Sequence, residues 1–184
     1  SLSPLAKVTS TDQAIPFLNS FRARGYADID TARAYPVGRG GTCEKLLGDS
    51  KLRLGTWANV STKVSSFMPG SHKSKNIAIS IDKSLEALNV ESVDVMYLHA
   101  PDRATSFLET CTAMNEAYHA GKFERFGLSN YSVDQVEEIV EICESNNFVK
   151  PSVYQGQYKP ICRGAENELF SALRKHNIAF YAYS

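Results

Sequence analysis

Short apolar runs alternate along the chain with longer segments of helical periodicity, and the runs recur about every thirty residues, the length of one strand-helix-strand unit. The first extended run ends at Asp30, and Tyr35 follows in a short loop. Later runs also end in polar residues, which a packed core would not select, so the pattern predicts strands whose ends carry chemistry. The polar residues at the six strand ends are Asp30, Lys63, His99, Ser129 with Asn130, Gln155, and Tyr183 with Ser184.

The segments between the runs carry helix signals. Ser10 with Gln13, and Ser132 with Gln135, have the spacing of a capping box. Pro16 fits a first helical turn but not an interior, so we expect the first helix to start later than Ser10 indicates. Further helices are predicted over residues 105–120 and about 165–175, and for the apolar stripe of Ile77, Ile81, Leu85 and Leu88, which ends at Asn89.

Regular alternation of helices and strands predicts an α/β fold with a parallel sheet and right-handed crossovers. An open doubly wound sheet concentrates functional residues at a switch point, whereas a barrel takes one from the end of every strand. Six successive strands here end in such residues, and no Gly-x-Gly-x-x-Gly follows a strand. We therefore expect a (β/α)8 TIM barrel, in one domain over residues 1–184, with the first and last strands absent from this chain.

The composition indicates a small-molecule partner. The 20 basic and 20 acidic residues balance, so no excess charge points to nucleic acid or to a membrane surface. The four cysteines are widely spaced, as expected for reduced thiols, and residues 1–7 lack an apolar segment that could serve as a signal peptide. We expect a cytoplasmic protein that neither binds nor spans a membrane. The turn-rich segment Ser65–His72 predicts a loop over a pocket, with His72 on the surface.

Asp30, Tyr35, Lys63 and His99, gathered at one barrel mouth, would form a proton-delivery system for a carbonyl group. A nearby ammonium lowers the pKa of a tyrosine from its ordinary value near 10, and Lys63 could do this for Tyr35. Asp30 would pair with Lys63, and His99 would orient the substrate oxygen. One histidine and one carboxylate make a thin ligand set for zinc, so no metal site is predicted.

Each of these residues also has a plain structural interpretation. Asp30 alone could cap a helix, Lys63 could be a solvated strand end, and Tyr35 a half-buried loop aromatic. His99 could be a core histidine whose hydrogen bonds are satisfied. The structural interpretations must all hold independently, whereas one active site explains every strand end at once, which favours the functional interpretation.

These residues stand in motifs through which the chain resembles the aldo-keto reductases, in particular the aflatoxin-aldehyde reductases and their fungal relatives. The resemblance covers nearly the whole chain, and the order and spacing of the motifs carry it. The motifs are Asp30-Thr-Ala-x-x-Tyr35, Ser61-Thr-Lys63, Tyr97-Leu-His-Ala-Pro-Asp102, Gly121-Lys-Phe, Gly127-Leu-Ser-Asn-Tyr131, Tyr154-Gln-Gly-x-Tyr158 and Phe180-Tyr-Ala-Tyr183.

The resemblance implies an NADPH-dependent reductase of aldehydes and ketones in which Tyr35 is the acid. It implies that Ser129, Asn130 and Gln155 bind the nicotinamide carboxamide, that Tyr183 stacks on the nicotinamide ring and that Ser184 approaches the pyrophosphate. The expected partner is a small-molecule carbonyl substrate, and a homodimer stays an open alternative to a monomer. The alternative function is a non-catalytic NADPH-binding regulatory subunit, or an inactive truncated relative, on the same fold.

Overall fold

The computed structural model of the protein describes residues 8–184. Residues 1–7, for which no signal peptide is predicted, lie outside the described residues. In the described part of the chain, helices and strands alternate, with two additional 3-10 turns at Leu54–Thr56 and Gly164–Glu166. The helices are α1 (Thr11–Arg22), α2 (Thr42–Leu47), α3 (Ser74–Leu88), α4 (Phe107–His119), α5 (Val133–Ser145) and α6 (Leu169–Lys175). The strands are β1 (Asp28–Asp30), β2 (Asn59–Val64), β3 (Val93–Leu98), β4 (Phe123–Ser129), β5 (Pro151–Gln157) and β6 (Ala179–Tyr183).

The six strands form one parallel sheet in the order β1 to β6, so each strand pairs with its neighbours in sequence. This order has no switch point, which excludes a doubly wound sheet for this part of the chain. Consecutive helices from α2 to α6 contact one another, and they form one layer against the sheet. The result is a curled half-barrel with helices outside. The predicted parallel α/β fold is confirmed; the described residues do not themselves form a closed eight-stranded barrel.

Two apolar clusters lie on the two faces of this sheet. The outer cluster joins the predicted stripe of α3, including Ile77 and Ile81, to Met96 and Leu98 of β3. The inner cluster consists of Val95, Tyr97 and Val153. A period of two along β3 therefore sends alternate side chains to the helix layer and to the concave face.

The concave face accepts the large ring of Tyr97 because Gly127 lies beside it on β4. A Cβ added at Gly127 would collide with the Tyr97 ring and with Val95. The glycine in the Gly127-Leu-Ser-Asn motif thus makes room for a buried tyrosine directly below the carboxyl edge of the sheet.

Helix caps follow the sequence signals closely. The Ser10 side chain accepts a hydrogen bond from the Gln13 amide, and Ser132 with Gln135 forms a complete capping box. The expectation that Pro16 delays the first helix is wrong, because α1 begins at Thr11 and contains Pro16. Pro16 lies on the solvent side, where the carbonyl group left without a donor can bind water. Within residues 8–184, no helix is both long and apolar enough to cross a membrane.

Candidate active site

The polar residues at the strand ends meet at the carboxyl edge of the sheet, as the sequence pattern predicts. Parallel pairing sets neighbouring strands side by side, so that Asp30 pairs with Ser61, Lys63 with Tyr97, and Ser129 with Gln155. His99 directly follows β3, and Tyr183 ends β6. Residues from six different elements therefore face one region, although they span more than 150 positions of sequence, from 30 to 183.

The predicted contact between Asp30 and Lys63 is confirmed. Lys63 Nζ lies 2.8 and 2.6 Å from the two carboxylate oxygens of Asp30, and 2.7 Å from the carbonyl oxygen of Thr31. The Lys63 side chain is 1% exposed, whereas that of Asp30 is 43% exposed. Burial lowers the pKa of Lys63, and Asp30 opposes that effect. The ammonium group is thus held inside the sheet by three acceptors, one for each of its hydrogens.

Tyr35 lies in the loop after β1, with its ring centroid 5.6 Å from Lys63 Nζ and 5.6 Å from the His99 ring. Burial, followed by the charge of Asp30, raises the pKa of Tyr35. The expected lowering of this pKa is therefore not found, because the net shift is upward. The physical reason is that burial of the ring and the nearby carboxylate of Asp30 both disfavour the phenolate, while Lys63 Nζ is hydrogen-bonded to Asp30 and Thr31.

His99 is 8% exposed and lies between two aromatic rings. Its ring contacts Tyr35 edge to face. It also contacts Phe67, with 5.0 Å between the two ring centroids. Burial, aided by the charge of Lys63, lowers the pKa of His99 to about 4, so the imidazole is neutral at neutral pH. Its Nδ1 is buried without a hydrogen-bond partner in residues 8–184, which leaves Nε2 as the ring nitrogen available to a ligand.

A buried carboxylate holds the loop that carries Tyr35, and the sequence analysis missed it. Glu44, at the start of α2, is 0% exposed. Its Oε2 lies 2.8 Å from Arg33 Nη1, and its Oε1 accepts a hydrogen bond of 2.7 Å from Thr62 Oγ1. Glu44 thereby connects the residue two before Tyr35 to the residue preceding Lys63. In the sequence, Glu44 stands beside Lys45 in the short segment 43–47, which gives no signal that its carboxylate is buried.

The five remaining strand-end residues lie beside this cluster. Ser129 is 1% exposed and Gln155 is 9% exposed, and they pair in register. The Tyr183 hydroxyl donates a 2.7 Å hydrogen bond to Asn130 Oδ1. Ser184 follows β6 and is exposed.

Asn130 is the connector among these residues. Its backbone has φ of +64°, a left-handed conformation that asparagine tolerates better than most residues. Its amide nitrogen donates to the His99 carbonyl oxygen at 2.9 Å and to Ser129 Oγ at 3.0 Å. Both amide hydrogens are thus used within the protein, and Asn130 fixes three strand ends relative to one another.

The prediction that His72 is a surface residue is wrong. His72 is 0% exposed. Its backbone N–H donates to Asp102 Oδ2 at 3.0 Å, which draws it inward from a loop that its turn-rich sequence places outside. Among residues 8–184, no group of three or more His, Cys, Asp and Glu side chains is arranged to hold a metal ion.

Comparisons with known proteins show relatives that match nearly the whole chain. The Aldo/keto reductase family model matches residues 3–184. An aldo-keto reductase of Pseudocercospora fijiensis (strain CIRAD86) is 40% identical over 171 residues, covering 91% of this chain and 56% of that protein. Aflatoxin B1 aldehyde reductase member 4 of Homo sapiens is 38% identical over 168 residues, covering 90% of this chain and 50% of that protein. The chain thus spans about half the length of the curated relatives it matches.

A solved structure shares the fold. The crystal structure of a candidate 2,5-diketo-D-gluconic acid reductase B superposes with a TM-score of 0.78 at 24% identity, covering 95% of this chain and 58% of that one.

Proposed function

The chain belongs to the aldo/keto reductase family, and on that premise we propose that it takes part in the NADPH-dependent reduction of aldehydes or ketones to alcohols. The observation that carries the proposal is the ion pair of buried Lys63 with Asp30, whose ammonium lies 5.6 Å from the ring centroid of Tyr35. Tyr35 in turn contacts His99. A proton donor, a cation and a neutral imidazole thus share one edge of the sheet.

Tyr35 is the proton donor in this proposal. Its raised pKa keeps the hydroxyl protonated at neutral pH, so the proton is available when the carbonyl oxygen gains negative charge. The proton passes from Tyr35 Oη to that oxygen, and the Lys63 charge stabilises the phenolate that forms. Asp30 keeps Lys63 charged against the effect of burial. General acid assistance of this kind accelerates a reaction by about 10²–10⁴-fold.

His99 orients the substrate. A neutral imidazole can donate one N–H to the carbonyl oxygen without competing with Tyr35 for the proton. The pKa of about 4 keeps His99 neutral across the physiological range. Its position against Tyr35 brings the two donors toward the same oxygen, which fixes the carbonyl before reaction.

The residues beside this cluster fit a nicotinamide carboxamide. Ser129 Oγ accepts a hydrogen bond from Asn130 and keeps its own hydrogen for a ligand, while Gln155 presents an amide with both a donor and an acceptor. Asn130 orients Ser129 and Tyr183, and the exposed Tyr183 ring offers a stacking surface. Ser184 follows at the pyrophosphate end. When bound, NADPH supplies the hydride that reduces the carbonyl carbon.

The test is a turnover assay on the full-length protein with NADPH and a panel of aldehydes, measured by loss of the reduced-nicotinamide absorbance. We expect turnover by the wild type and a loss of about 100-fold or more in Lys63→Met, with little change in NADPH affinity. Tight NADPH binding without turnover of any aldehyde would favour the regulatory-subunit alternative. Absence of NADPH binding would overturn both.

A further inference from the structure

Residues 65–73 form the loop between β2 and α3, and this loop places an exposed aromatic ring beside the site. Phe67 is 60% exposed, yet its ring lies 5.0 Å from the His99 ring at an interplanar angle of 68°. Core packing does not explain an aromatic side chain with most of its surface in water. Its contact with His99 makes it part of the wall that any molecule near the imidazole would meet.

The loop has a polar interior that fixes the residue next to Phe67. His72 Nε2 lies 2.8 Å from Ser66 Oγ, and Ser66 Oγ donates to the Val64 carbonyl oxygen at 3.2 Å. A hydroxyl has one hydrogen, so Ser66 must accept from His72, and the Nε2–H tautomer follows. His72 Nδ1 is buried and has no partner among the described residues, which agrees with that tautomer.

The same loop is tied to the segment that carries His99. Asp102, three residues after His99, accepts hydrogen bonds from the His72 amide at 3.0 Å, from Thr105 Oγ1 at 2.7 Å and from the Ala104 amide at 3.0 Å. Burial raises the pKa of Asp102, but these hydrogen bonds outweigh it and lower the pKa to about 2. The carboxylate is therefore charged at neutral pH and anchors both segments.

We propose that His72 is a positioning residue that holds Phe67 against His99, and that Phe67 selects carbonyl substrates bearing an aromatic or bulky apolar group. The inference rests on the proposed reductase function. His72 acts through Ser66, which directly precedes Phe67, so loss of the imidazole frees the backbone that aims the ring. Because the substrate contact belongs to Phe67, changes at His72 alter substrate preference more than the chemistry at Tyr35.

The experiment is a double-mutant cycle in the full-length protein, measuring kcat and KM with NADPH for benzaldehyde and for propanal. Phe67→Ala is expected to lower the benzaldehyde-to-propanal ratio of kcat/KM by about tenfold, mainly through KM. His72→Leu removes the Nε2–H donor at similar volume and is expected to lower the ratio several-fold. His72→Gln, whose amide can replace that donor, is expected to restore it.

The double variant decides whether His72 acts through Phe67. If it does, His72→Leu changes the ratio no further once Phe67 is alanine, whereas independent effects would add. Additive effects, or a wild-type ratio in Phe67→Ala or in His72→Leu, would overturn the inference.

A second measurement does not depend on turnover. Amide hydrogen exchange of the cofactor-free protein is expected to speed up at residues 65–68 in His72→Leu and to stay near wild type in His72→Gln. If the wild type reduces neither aldehyde, the proposed function fails. The exchange data still test whether His72 fixes residues 65–68. Unchanged exchange at residues 65–68 in His72→Leu would overturn the positioning role of His72.

Discussion

The two edges of the sheet each hold a carboxylate–cation pair that joins neighbouring strands, and the two pairs differ in burial. At the carboxyl edge, the side chain of Lys63 is 1% exposed and reaches Asp30 from inside the sheet. At the amino edge, the side chain of Arg125 is 37% exposed and binds Asp94 through two N–H groups, at 2.9 and 2.6 Å. Arg125 also donates to the Tyr181 hydroxyl at 3.2 Å.

This difference in burial sets the chemistry of each edge. Burial lowers the pKa of Lys63, whereas the hydrogen bonds with Asp94 raise the pKa of Arg125. A guanidinium stays charged under all ordinary conditions, but a lysine responds to its surroundings. The carboxyl edge thus has a cation whose pKa depends on its surroundings, and the amino edge has a cation that stays charged.

The size of a cleft alone does not decide which edge carries the reaction. The amino edge opens into a cleft of about 800 Å³ whose lining includes Asp28, Asn59, Glu124 and the Arg125–Tyr181 pair. The carboxyl edge instead presents a tyrosine hydroxyl, an imidazole nitrogen and an amide that are available to ligands, which is why we place the reaction there.

The largest expected effect comes from matched tyrosine variants at the two edges. Tyr35→Phe should lower kcat by about 10²–10⁴-fold, because it removes the proton donor while keeping the ring. Tyr181→Phe, at the amino edge, should leave kcat near wild type. Steady-state kinetics with NADPH and one aldehyde measure both, and equal losses in the two variants would contradict the assignment of the carboxyl edge.

The pH dependence of stability should also be concentrated at the carboxyl edge. Burial lowers the pKa of His72 and of His99 to about 4 in the folded protein, whereas an unfolded histidine titrates near 6.5. Between these values the unfolded state binds more protons, so stability is full above about pH 6.5 and falls as the pH drops toward 4. The loss should be on the order of 2–3 kcal/mol for each histidine.

Urea unfolding at several pH values measures this slope. His72→Gln should remove about half of the decline, because one of the two buried imidazoles is gone. His119→Gln, at an exposed position of α4, is the control. A decline as steep in His72→Gln as in the wild type would show that other groups cause it.

The third prediction concerns the carboxylate that holds the Tyr35 loop. Glu44→Gln should cost about 1–3 kcal/mol of stability, because a buried charged hydrogen bond to Arg33 is lost. It should also lower kcat by displacing Tyr35, with a smaller change in KM. Chemical denaturation and steady-state kinetics measure the two effects. As a control, Glu166→Gln removes a partly exposed partner of Arg163 and should change neither stability nor kcat. A stability loss as large in Glu166→Gln would contradict a distinct role for buried Glu44.

The smallest effect is expected at the amino edge. Arg125→Met should destabilise the protein by about 1 kcal/mol, because a partly exposed bidentate pair is broken. Turnover should stay near that of the wild type. Chemical denaturation and kinetics on one protein preparation check both expectations. A loss of turnover comparable to that of Lys63→Met would mean that the two edges do not divide function and structure as we infer.

The sequence could predict much of the fold because its signals are local. The capping box at Ser132 and Gln135 and the apolar stripe of α3 depend on residues a few positions apart, and both occur as expected. The contact of Asp30 with Lys63 was also predictable, because ends of adjacent parallel strands must meet. Pro16 misled the prediction of the first helix because its cost depends on which side of the helix faces water.

The sequence by itself determined the parallel α/β pattern, the order of the strands and the polar residues at their ends. Only the tertiary structure decided how those residues behave. The pKa of Tyr35 rises because its side chain is partly buried beside the carboxylate of Asp30, and His72 is buried because Asp102, thirty positions away, binds its backbone amide. Period and propensity act over a few residues, whereas burial and the choice of hydrogen-bond partner depend on elements that meet only when the chain folds.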